Sequence, residues 1–278
     1  MKKLLALLLV GIMAFAIAGC TSSDTGSGTK LDSIKDKKVL SVYMDPNFPP
    51  FEYMGSNGKI TGVDAEIAKA IAAELGAEAD LSSADFDSII MSLKSGKGDI
   101  GISGITIRDD RKENVDFSDP YIKSVQYLIL AKDSEIEYLE DLAEKTVGVA
   151  LGYTGQFLME DELARDEEEG TQGVLYGKNT VIKEYKSAME GAQDVGNRVD
   201  AVVMDEYVAK NIVSNNSNLK AIELKYKDGT IAEEEYGVAV AKGNGDLLVV
   251  INKVINELKQ QGKIEQWVVE FAEDYTAS

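Results

Sequence analysis

The chain has 278 residues, of which 48 are acidic and 29 basic, a formal net charge of −19; it is long enough for two packed domains and has the wrong sign for a nucleic-acid partner. It contains no histidine and a single cysteine. That removes Ser-His-Asp and Cys-His catalysis, histidine-based metal sites and any internal disulfide, and neither a metal nor another cofactor is expected.

In chain order, Lys2 and Lys3 precede an apolar run from Leu4 to Ala18, so residues 1–19 read as an export signal absent from the mature fold. Fifteen apolar residues fall short of the ~20 that a membrane-spanning helix needs. Ile17-Ala18-Gly19-Cys20 resembles the bacterial lipobox, which implies lipidation of Cys20 and attachment to the membrane through that lipid. Residues 20–36, rich in Ser, Thr and Gly at their start, follow as a polar tether.

Val39 to Met44 reads as a buried strand, ended by Asp45-Pro46-Asn47-Phe48-Pro49-Pro50 because proline lacks a ladder donor. Asp64 stands where an N-cap belongs, before Ile67, Ala68, Ile71, Ala72 and Leu75 at helical spacing, and Gly76 closes the helix. Phe86, Ile89, Ile90 and Leu93 mark a second helix, and Asp99 to Ser103 the next strand. Further strands are expected at Val147 to Ala150, Val181 to Tyr185, Ala201 to Met204 and Tyr236 to Ala241. Helices are expected at Gln156 to Leu163, Ala188 to Val195 and Glu206 to Val213, and Leu247, Val250, Ile251, Val254, Ile255 and Leu258 stripe a C-terminal helix. Alternation of this kind implies parallel sheets covered by helices, with ligands held beyond the carboxyl ends of the strands. Asp45, Phe48, Ser103, Thr106 and Asp205 all follow expected strands.

From about Lys38 to Tyr275 the order of short motifs resembles the family 3 extracellular solute-binding proteins, the polar amino-acid receptors of bacterial ABC importers. The motifs are Pro49-Pro50-Phe51-Glu52-Tyr53, Gly62-Val63-Asp64-Ala65-Glu66, Asp85-Phe86-Asp87, Gly104 to Arg111 leading into Asp116-Phe117-Ser118-Asp119-Pro120-Tyr121, Val199 to Asp205, and Glu235-Tyr236-Gly237. The resemblance implies an α/β, two-lobed type II periplasmic-binding-protein fold, each lobe a mostly parallel sheet flanked by helices, with two crossing hinge strands. It places lobe 1 at residues 37–123 and 232–278 and an inserted lobe 2 at 124–231.

It also implies roles. A free amino acid offers a carboxylate and an ammonium, and taking both from water is costly unless each meets an opposite charge and hydrogen bonds. Arg111 is expected to fork onto the carboxylate, aided by Ser103, Gly104, Thr106, Thr154 and Gly155, the last two at a helix N-terminus that favours an anion. Asp205, with Gly104, is expected to hold the ammonium. Asp45, Phe48, Phe86, Tyr153, Met204, Glu234 and Tyr236 are expected around the ligand side chain, with Asp45 pointing to a polar ligand and basic amino acids or glutamine leading the order. No catalysis is implied; the partners are a small-molecule amino acid and a membrane permease, the protein acts as a monomer, and it resides outside the cytoplasmic membrane. Two alternatives share the fold: a cyclohexadienyl or arogenate dehydratase-like enzyme, which needs a carboxyl general acid, and an amino-acid-sensing lipoprotein.

Overall fold

The computed structural model describes residues 29–167 and 170–277; Cys20 and the export segment lie outside them. Helix α1 (Lys30–Lys37) starts at Thr29, whose hydroxyl and the Asp32 carboxylate form a reciprocal cap. Strand β1 (Val39–Met44) follows, burying Leu40, Val42 and Met44 on one face. A small antiparallel meander comes next: β2 (Asn47–Phe48), β3 (Glu52–Met54) and β4 (Ile60–Thr61). Then come α2 (Val63–Glu74), β5 (Glu78–Ser83), α3 (Phe86–Lys94), β6 (Ile100–Gly101), α4 (Asp109–Lys112) and β7 (Val115–Phe117). The long β8 (Ile122–Ala131) leads into β9 (Thr146–Ala150), α5 (Thr154–Leu163), β10 (Val181–Tyr185), α6 (Ala188–Gln193), β11 (Ala201–Asp205), α7 (Glu206–Ser214) and β12 (Leu219–Glu223). The chain returns through β13 (Glu233–Tyr236) and β14 (Ala239–Ala241) and ends in α8 (Gly245–Gln260) and α9 (Lys263–Ala277).

Two sheets result, one in each lobe, with strand orders β5-β1-β6-β14-β7 and β10-β9-β11-β8-β12. Pairs β1–β5, β1–β6, β9–β10 and β9–β11 are parallel, whereas every pair that involves β8 or β14 is antiparallel. The mixture has a topological cause: β8 and β13 carry the chain between the lobes, and β8 and β14 each join their sheet against its run. β8 and β13 pair directly, Ser124 opposite Glu234 and Ile122 opposite Tyr236. The segment expected as one strand from Tyr236 to Ala241 is therefore two, broken at Gly237, whose added Cβ would lie 2.9 Å from Ile107 side-chain atoms.

Asp64 is not the N-cap of its helix. Gly62 holds that position with φ +123°, and a Cβ there would sit 2.2 Å from the Phe51 carbonyl oxygen, so only glycine fits. Asp64, the second residue of the helix and fully buried, instead accepts from the Gly104 N–H at 2.8 Å and the Tyr121 hydroxyl at 2.9 Å. Glu52 is also fully buried and accepts from the Ser103 hydroxyl at 2.6 Å. The other oxygen of each carboxyl, Glu52 Oε2 and Asp64 Oδ1, is buried without a hydrogen-bond partner among the described residues, and burial pushes Asp64 up to about 6 and Glu52 well above the ordinary range, with the charge of Asp64 adding to the latter. Burial thus holds on this pair a proton that an unfolded chain gives up near pH 4.

The sign of the linkage is that of a group whose folded pKa is raised. The pair contributes most below pH 4 and destabilises progressively as pH rises through 6 and beyond, by about 1.4 kcal/mol per pH unit for one proton. Urea unfolding of the wild type and Glu52→Gln should show the variant gaining on the wild type between pH 5 and pH 9. Parallel pH profiles would contradict the retained proton.

Candidate functional site

The facing ends of the two sheets bring together most of the residues that the sequence singles out. Arg111, in the one-turn helix α4, is buried; its guanidinium donates to the Thr106 carbonyl at 2.9 Å and to the Gly152 carbonyl at 3.1 Å, and lies 5.4 Å from the centre of the Phe86 ring. It forms no salt bridge with any carboxylate among the described residues. Burial lowers it to about 10, helped by the charge of Arg108 and opposed by Asp110, Asp205 and Glu234, so it remains a cation at neutral pH.

The opposing charge ends β11. Asp205 is buried and accepts from the Gln126 amide and, at 2.8 Å, from the Tyr236 hydroxyl. The same Gln126 nitrogen donates to Glu234 at 2.8 Å, so one amide straddles two carboxyls. Burial raises both acids, and the charge of Asp205 raises Glu234 well above the usual range. Of the two, Glu234 is the acid whose protonated form the surroundings favour more, with Asp205 as the anion beside it.

Thr106 closes the circuit. Its hydroxyl lies 2.7 Å from both Glu234 and the Thr154 hydroxyl; having one proton, it donates to Glu234 and accepts from Thr154. Arg111, Thr106, Glu234, Gln126 and Asp205 thus form one contact path between lobes. Thr154 and Gly155 open helix α5, and a Cβ on Gly155 would meet Val203 at 2.9 Å and Gln126 Oε1 at 3.1 Å, so the glycine lets the helix approach β11 and Gln126.

A second group lies beside Arg111. The Phe86 and Tyr153 rings stack with centroids 4.1 Å apart, Phe48 lies 5.8 Å from Tyr153, and the Tyr153 hydroxyl donates to Asp45 at 2.9 Å. Asn47 donates to the other Asp45 oxygen at 2.6 Å, and the Asp45 N–H donates to Ser103. Burial raises Asp45, an effect that the hydrogen bonds from Tyr153 and Asn47 oppose. Gly104 (φ +53°) admits Phe48, whose ring atom would be 2.3 Å from an added Cβ.

Three expectations need correction. The Gly104 N–H is committed to Asp64, so it is not a donor for a ligand carboxylate. The Ser103 hydroxyl is likewise committed to Glu52. Met204 is adjacent to Asp205 on a strand whose side chains alternate, so it faces away from Asp205 and is buried in the hydrophobic core. Conversely, Gln126 and the Gly152 carbonyl went unrecognised in the sequence; a lone amide inside the apolar run Val125 to Ala131 was the available signal for the former.

A depression of about 770 Å³ adjoins the site between α4, α5, β8 and β13, and shares Thr106, Thr154 and Glu234 with it. Among the described residues no group of His, Cys, Asp and Glu is arranged to hold a metal ion, and no helix is long and apolar enough to cross a membrane.

Comparison with known proteins gives a consistent result. The L-cystine-binding protein TcyJ of Escherichia coli (strain K12) is 32% identical over 92% of this chain and 91% of its own length. The arginine-binding extracellular protein ArtP of Bacillus subtilis (strain 168) is 34% identical over 96% of each. Among solved structures, the amino acid ABC transporter substrate-binding protein AbpA of Streptococcus pneumoniae, bound to L-arginine, superposes with a TM-score of 0.76 at 33% identity, over 87% of this chain and 98% of that one. The sequence profile of the bacterial extracellular solute-binding proteins, family 3, matches residues 40–273, and the chain belongs to that family.

Proposed function

We propose that this protein is the substrate-binding component of an amino-acid ABC importer and that it holds one free L-amino acid between Arg111 and Asp205. The single observation that carries the reading is a buried guanidinium and a buried carboxylate without ionic partners of their own among the described residues, joined by a path of polar contacts across two lobes. A guanidinium uses five N–H donors, and here two carbonyls take two of them, so a carboxylate can be received in the fork. Thr106 and the first turn of α5 complete the anion side, and Asp205 with Tyr236 forms the ammonium side.

Charge supports a cationic side chain. With Glu234 protonated, Arg111, Asp205 and Asp45 sum to one negative charge, and a dipolar backbone leaves that charge unchanged. L-Arginine or L-lysine would neutralise Asp45, in keeping with the ligand of the Streptococcus pneumoniae relative. Because each end of the ligand meets a different lobe, binding favours closure through contacts that an open form lacks. Residues 37–123 with 232–278 form one lobe and 124–231 the other. The protein performs no catalysis, works as a monomer tethered by a lipid on Cys20 outside the cytoplasmic membrane, and is read by the permease in its closed shape.

A thermal-shift screen of the mature chain against the twenty amino acids, ornithine, citrulline and cystine tests this, since a ligand of the native state raises the melting temperature by mass action. L-Arginine or L-lysine is expected to give the largest rise. No rise with any of them at millimolar concentration would refute the reading.

A further inference from the structure

We propose that Tyr153 is an internal stand-in for the ligand side chain, and that displacing it is the step that sets side-chain specificity. The proposal rests on reading the cleft as an amino-acid site and goes beyond it by naming the group that competes for the side-chain subsite. Asp45, Phe48 and Phe86 come from lobe 1 and form three walls of a buried slot. Tyr153, from the turn that opens α5 in lobe 2, reaches across and fills it. Its ring stacks on Phe86 at 4.1 Å and 22°, and its hydroxyl donates to Asp45 at 2.9 Å.

Those are the contacts that a planar cationic side chain would seek: an aromatic face and a buried carboxylate. The geometry excludes sharing. Planar groups in van der Waals contact lie about 3.5–4 Å apart, so a guanidinium held between two rings needs them roughly 7–8 Å apart. At 4.1 Å the Phe86–Tyr153 stack has no room for a third layer. Both Asp45 oxygens already accept, one from Tyr153 and one from Asn47. A ligand that ends in a cation reaches Asp45 only by driving the phenol out, whereas a ligand that ends at its β-carbon leaves the phenol in place. Tyr153 therefore weakens long cationic ligands relative to short ones.

The deciding experiment is calorimetry of the mature wild type, Tyr153→Ser and Tyr153→Phe with L-arginine and with L-serine, alongside thermal unfolding of each protein alone. Losing the competing stack and hydrogen bond should tighten L-arginine by about tenfold or more in Tyr153→Ser, with the ratio of serine to arginine Kd rising in step. Tyr153→Phe, which keeps the ring and loses the hydroxyl, should shift the ratio in the same direction by less, and it decides alone if Tyr153→Ser does not fold. Weaker arginine binding in either variant would mean that Tyr153 clasps the ligand, and an unchanged ratio would mean that it acts on closure alone; either overturns the proposal. Binding by the wild type with an unchanged ratio overturns only the role of Tyr153, while a wild type that binds no amino acid overturns the reading of the cleft.

Discussion

With Arg111 replaced by alanine, amino-acid binding should fall by at least a hundredfold in calorimetry while the protein without ligand unfolds within a few degrees of the wild type. The fork provides two charge-assisted hydrogen bonds to a ligand carboxylate, and truncating one partner of a buried ion pair costs about 3–5 kcal/mol, a factor of ~10²–10³ or more. Stability is expected to change little because two effects oppose. The Thr106 and Gly152 carbonyls lose a donor, but a desolvated cation without an ionic partner among the described residues is also removed. Arg111→Lys should recover only part of the affinity, since a point charge cannot present paired donors. Loss of folding with binding retained would make Arg111 a structural residue.

Asp205→Asn should weaken binding by a comparable factor for the opposite end of the ligand. Asparagine keeps one acceptor oxygen for Gln126 and puts an NH2 donor against the Tyr236 hydroxyl, which must then turn its own proton elsewhere, so the shape of the site is kept and the measured loss reports mainly the charge. The pH dependence supplies a second reading. Burial raises Asp205, so the carboxylate that receives the ammonium is lost on acidification at a higher pH than that of a free aspartate. Wild-type affinity should decline as pH falls through that region, and Asp205→Asn should lack that component. An affinity in Asp205→Asn equal to that of the wild type at neutral pH would remove Asp205 from the site.

How much of this was legible in the sequence depends on the range of the interactions. Strand β1 and helix α8 are local patterns, an apolar run ended by prolines in one and a three- and four-residue stripe in the other, and both lie where those patterns put them. Arg111 and Asp205 had no local signature: one sits among Asp109, Asp110, Lys112 and Glu113, the other at the start of a helix, and each would pass for a solvated charge or a cap. Only the order of motifs along the chain singled them out. The Glu52–Asp64 pair was hidden for a related reason. The meander β2 to β4 brings together two residues twelve apart, and Asp64 imitates a capping residue two positions too late. Met204 directly precedes Asp205 in β11, and strand alternation sends the two side chains to opposite faces. Tyr153 was placed at the ligand, but that its ring spans the lobes to reach Asp45 follows only from tertiary structure.

The most direct test of the central claim is a crystal structure of the mature protein with L-arginine. The account predicts one molecule between the lobes, its carboxylate within hydrogen-bond distance of the Arg111 guanidinium and its ammonium within hydrogen-bond distance of Asp205. A ligand seated in the adjoining depression instead, with neither Arg111 nor Asp205 in contact, would contradict it.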